Sequence, residues 1–202
     1  MFKRYGDVCA KLAGRLNVWQ WWLMAIVLWV VSQQTMGWLN GLYAASQFPV
    51  SFFVGQTTFN AAELKSYYAV LLELGTLDKF IGVQLADYVY MATVLASLFV
   101  AMVAVYRILP NITWLKKIGW FMVLLSPAAA GFDALENLIS FILLANPLTF
   151  SDWLVYPYSS LAVAKFGAYA VTYLWAILAL LSCAIVWPYV LIKQKFGRVA
   201  TV

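Results

Sequence analysis

A chain of 202 residues in which 65% are hydrophobic and only 10% charged departs far from the roughly 25% charged content of soluble domains, and a mean hydropathy of +0.85 excludes an ordinary water-soluble fold. The net charge of +5 does not point to nucleic acid, because the basic residues gather at the ends of apolar runs and form no patch interleaved with exposed aromatics. With no histidine in the chain, His-ligated haem, ordinary zinc sites and the usual general base are all excluded; no cofactor and no metal centre is expected.

Four apolar runs reach the length of about 20 residues that a helix needs to cross a bilayer. They predict an all-α, polytopic membrane protein, a four-transmembrane-helix bundle forming a single membrane domain over residues 1–202. The lipid bilayer is its first expected partner. Residues 1–17 carry Lys3, Arg4, Lys11 and Arg15 against Asp7, and Trp19, Trp21 and Trp22 then open a first span over about 19–40, the pattern of a basic flank followed by an aromatic belt. A cleaved signal peptide ending near Ala44-Ala45-Ser46 fits less well, because the run is too long for one and is interrupted by Ser32, Gln33, Gln34 and Thr35. Cys9 and Cys183 lie far apart outside any Cys-x-x-Cys, so two free thiols are expected and no disulfide scaffold.

Residues 44–60 read as a loop, punctuated by Pro49 and Gly55. Asn60 followed by Glu63 resembles a capping box, and Gly75 supplies a stop, so a helix is predicted over about 60–74. Leu64, Tyr67, Tyr68, Leu71 and Leu72 recur along it at helical spacing. It is too short to span and is placed at the extracytoplasmic interface as an amphipathic helix between spans one and two. The second span covers about 79–107, and the third about 118–145 with Pro127 expected to kink it. Ala128-Ala129-Ala130-Gly131 gives the third span a small-residue surface for close helix approach. A loop with Asp152, Trp153 and Tyr156 leads to the fourth span, about 160–192.

Ten of the thirteen basic residues fall on one side of this arrangement, including Arg107, Lys116, Lys117, Lys193, Lys195 and Arg198, while only Lys65, Lys79 and Lys165 fall on or near the other. Both termini are therefore expected in the cytoplasm, in a multi-pass protein of the cell membrane, of the bacterial inner-membrane kind.

Polar residues inside the spans carry the functional signal, since a charge at mid-bilayer costs roughly 2.5 to 3.5 kcal/mol on insertion scales. Asp133, Glu136, Asn137 and Ser140 share one helical face at i, i+3, i+4 and i+7, and Gln84 and Asp87 share a face of the second span. At 1.5 Å per residue from the expected outer ends, Gln33 lies about 10 Å deep, Asp87 about 12 Å and Glu136 about 14 Å. All four spans thus bring polar groups to the outer half. Lys165 starts nearer the surface and either snorkels outward or reaches down to a carboxylate.

The expected site is a polar, acidic pocket in that outer half, walled by Asp87, Asp133, Glu136 and Asn137, with Gln33, Gln34, Gln84 and Lys165 as further members. Its ligand would be a proton, a cation or a small molecule carrying an amine or hydroxyl. The competing reading makes the same groups interhelical hydrogen-bonding partners in a structural or assembly subunit of a membrane complex. A third makes the paired carboxylates an acid/base catalyst. Phe132-Asp133-x-x-Glu136-Asn137 in the third span, with Gly75-Thr76-Leu77-Asp78 ahead of a span holding Gln84 and Asp87, resembles an uncharacterised family of bacterial four-span integral membrane proteins. That resemblance covers roughly residues 60–180 and implies no activity, whereas four-span thiol oxidoreductases need a Cys-x-x-Cys and lipid phosphatases need histidines.

Overall fold

Long apolar runs with few interior breakers leave the backbone no partner but itself, and in the computed structural model they become helices. The structure describes residues 2–199, with side chains described for 4–189. Of the residues in the orientation count, the side chains of Lys3, Lys193, Lys195 and Arg198 lie outside those described. The elements are α1 (Phe2–Gly14), α2 (Val18–Ser46), α3 (Phe52–Gln56), α4 (Ala61–Glu73), α5 (Leu77–Ile108), α6 (Thr113–Leu125), α7 (Ala128–Ala145) and α8 (Val155–Val199), with a 3₁₀ turn at Asp152–Leu154. No strand occurs among the described residues. Four segments are long and apolar enough to cross a membrane: Val18–Ser46, Leu77–Ile108, Thr113–Ala145 and Asp152–Tyr189.

One local reading is extended and one corrected. The basic N-terminal flank is a helix, α1, which buries Cys9 and Ala13 and receives a hydrogen bond from Arg107 on the Ala13 carbonyl. The stretch read as one loop over 44–60 holds the last turn of α2 and the short α3. Ser51 starts α3 by accepting the Val54 N–H, and Gly55 then passes so close to Phe48 that an added Cβ would sit 2.8 Å from its ring.

The helix over 61–73 follows its caps. The Asn60 side chain accepts the Ala62 and Glu63 N–H groups. At the other end Gly75, at φ 64°, donates to the Leu72 carbonyl and Thr76 to that of Leu71, a Schellman closure that requires the left-handed conformation glycine takes freely. Glu63 does not turn back to the cap as a capping box would. It accepts from the Thr58 and Tyr67 hydroxyls, which hold its carboxyl below the usual range.

Pro127 does more than bend the third span. It separates α6 from α7, and having no N–H it leaves the Val123 carbonyl without its helical donor. The Ser126 hydroxyl takes that carbonyl at 2.9 Å.

The helices pack as two compact units. One comprises Val27–Ser97 and Pro127–Tyr169, and the other is made from the remaining described segments, among them Leu98–Ser126. The second has an apolar core of Val105, Leu109, Leu115, Ala179 and Cys183. In the first, Leu64, Tyr68 and Leu71 of α4 pack with Phe80, Leu143, Leu144, Phe150 and Tyr158. Phe48 stacks on Phe80 with ring centroids 4.6 Å apart, and Tyr43 on Phe52 at 3.8 Å. This aromatic floor fixes α3, α4, α5 and α7 against one another, and all eight candidate site residues belong to the same unit.

Candidate functional site

Lys165, near the start of α8, reaches inward. Its ammonium donates to Asp133 Oδ1 at 2.7 Å, to Glu136 Oε2 at 2.6 Å and to Gln56 Oε1 at 3.1 Å. An ammonium has three protons to donate, and all three are used. Lys165 is 4% exposed, Asp133 3% and Glu136 0%, so water does not screen these ion pairs. Such pairs combine a large desolvation cost with a large mutual attraction, and they persist only when the hydrogen bonding is complete.

The helical spacing of α7 builds the acidic side of this arrangement. Asp133 and Glu136 stand one turn apart and grip one cation, and Asn137, beside Glu136 on the same face, donates from Nδ2 to Asp87 Oδ2 of α5 at 2.8 Å. Asp87 is therefore held by a neutral amide and has no cation of its own among the described residues. Counting formal charges, three buried carboxyl groups face one ammonium. Tyr158 of α8 sits beside Glu136, and Tyr68 of α4 approaches Ser140.

A cavity of about 150 Å³ opens on this cluster. Asp87, Asp133, Gln56 and Lys165 form its polar side, and the rings of Phe52, Tyr90, Phe166 and Tyr169 together with Met36 and Leu39 form the rest. Lys165 Nζ already lies over the Phe166 ring, 5.1 Å from its centroid. Glu136 does not line this cavity; it stands behind, with Lys165 between.

The structure thus brings together Asp87, Asp133, Glu136, Asn137 and Lys165, and resolves the alternatives for Lys165 in favour of the inward reach. Gln84 is buried at 1% exposure but faces a separate, smaller space of about 10 Å³ shared with Gln56 and Tyr158, and neither atom of its amide has a partner among the described residues. Gln33 and Gln34 are exposed on α2 and do not reach the cluster; α2 contributes Met36 and Leu39 instead, one and two turns on. Gln56 was missed because it lay in an assigned loop. The Ser51 cap, the following Phe52-Phe53-Val54 and the buried Gly55 were the signal that could have placed it. Among the described residues no group of three or more His, Cys, Asp or Glu is arranged to hold a metal ion.

No family model matches this chain, and neither does any curated protein or solved structure.

Proposed function

We propose that this chain is a multi-pass protein of the cell membrane, with both termini cytoplasmic, whose acidic pocket in the outer half binds a small ligand, a proton or a cation as a transporter-like or sensing component. The observation that carries this reading is the charge imbalance at a cavity. Lys165 is saturated by Asp133, Glu136 and Gln56, while Asp87 lines the same cavity with only an amide to hold it. A purely architectural ion cluster needs no third acid and no open space beside it. Buried excess charge is costly, and a bound cation offsets it. The four long apolar segments and the basic flanks support the membrane placement.

The assembly reading has one observation in its favour: the ammonium of Lys165 ties α3, α7 and α8 together through Gln56 and the two acids. The two readings separate in a thermal unfolding experiment on protein in mild detergent, with and without the small-molecule fraction of its own cells. The pocket reading expects the wild-type midpoint to rise by several degrees and that of Asp87→Asn to stay unchanged. No rise in wild type, with a protein partner retained by both forms, would favour assembly.

A further inference from the structure

We propose that the ligand of this pocket is a small organic ammonium ion, held by the Asp87 carboxylate against an aromatic wall. This rests on the pocket reading above and specifies its chemistry.

Charge selects a cation over an anion. An anion would need a free donor, and Lys165, the cation lining the cavity, has spent all three of its protons on Gln56, Asp133 and Glu136. Its charge is more than offset, since two carboxylates lie within 2.7 Å of it. Asp87 is different. Its Oδ2 accepts from Asn137 Nδ2, and it forms no ion pair among the described residues. The side chain is 5% exposed and lines the cavity, so a buried acid without an ion-pair partner among the described residues borders the open space.

Lining chemistry selects an organic cation over an inorganic one. A dehydrated alkali ion needs a shell of six or so oxygen ligands, whereas most of this wall is carbon. Phe52, Tyr90, Phe166 and Tyr169 surround the acid, the combination of ring faces and a single carboxylate that recognises ammonium groups. The volume sets a scale: about 150 Å³, the space that takes up benzene, seats a group of about six non-hydrogen atoms, and the open side leaves room for the rest of a longer molecule. The geometry therefore points to a short alkylammonium, with its head on the Asp87 carboxyl group and its tail on the rings.

The test is isothermal titration of the full chain in detergent with n-butylammonium, 1-butanol, sodium and potassium as separate probes. n-Butylammonium should bind, and 1-butanol, of the same shape without the charge, should bind at least about ten-fold more weakly. Asp87→Asn should weaken n-butylammonium about ten- to a hundred-fold and leave 1-butanol unchanged. Phe166→Leu, which keeps every hydrogen bond in the cluster, should weaken n-butylammonium about three- to thirty-fold, and it keeps the proposal testable if Asp87→Asn does not fold. Equal binding of 1-butanol and n-butylammonium, or tighter binding of sodium or potassium, would overturn the ammonium assignment while leaving the pocket in place. No binding of any probe to wild type would overturn the ammonium assignment, and the thermal unfolding experiment above decides the pocket reading separately.

Discussion

Replacing Lys165 by methionine should destabilise the chain by about 3–5 kcal/mol in mild detergent, the cost of leaving buried charge unpaired. The side chains are similar in length, so the loss is not one of packing. Asp133 and Glu136 would face each other's charge with no cation between them, and Gln56 would lose the donor to its carbonyl oxygen. The origin of the loss is checked by restoring neutrality. Lys165→Met combined with Asp133→Asn and Glu136→Gln should recover most of the stability, because an uncharged cluster has no such penalty. Denaturant or thermal unfolding of the single and triple variants measures both. If Lys165→Met alone unfolds like wild type, the lysine is not the inward partner of the two acids.

The second large effect lies about two turns further along α7. Leu143→Ala should cost about 2–5 kcal/mol, the range for emptying a fully buried leucine position. Leu143 is 0% exposed and belongs to the cluster that joins α4, α5 and α7, with Leu64, Tyr68, Leu71 and Phe80 around it. It continues the buried face of α7 that begins with Glu136 and Ser140. A cavity there would loosen the helix that holds both acids, so any ligand-dependent stabilisation should shrink with it. Leu138→Ala is the matched control, since Leu138 is 55% exposed on the opposite side of the same helix, and in detergent it should change stability by less than about 0.5 kcal/mol.

Much of this arrangement was legible because it is written in local periodicity. Asp133, Glu136, Asn137 and Ser140 share a face by helical spacing alone, and all four are buried. Asn60 and Gly75 bound α4 through chemistry confined to a few neighbouring residues, so their roles could be read without the fold. Position around a helix axis relative to its neighbours is not written locally. Gln33 and Gln34 are exposed, and Met36 and Leu39, one and two turns further along α2, line the cavity in their place. The direction of Lys165 depended on which acids stood opposite, a long-range fact. Gln56 was lost for a different reason: a five-residue helix has too little periodicity to stand out, and its buried position follows from the close passage of Gly55 against Phe48. The break at Pro127 was half legible. The missing N–H was certain, but that Ser126 would take up the Val123 carbonyl was not.

A pocket in which Asp87 and its neighbours hold a ligand differs from one that merely fastens helices by what leaves the membrane with the protein. Native mass spectrometry of the protein released gently from its own membrane tests this most directly, with wild type and Asp87→Asn compared side by side. A small-mass adduct is expected on wild type, and its loss in the variant. No adduct on either form, or an adduct equally retained without the Asp87 carboxylate, would contradict the pocket reading.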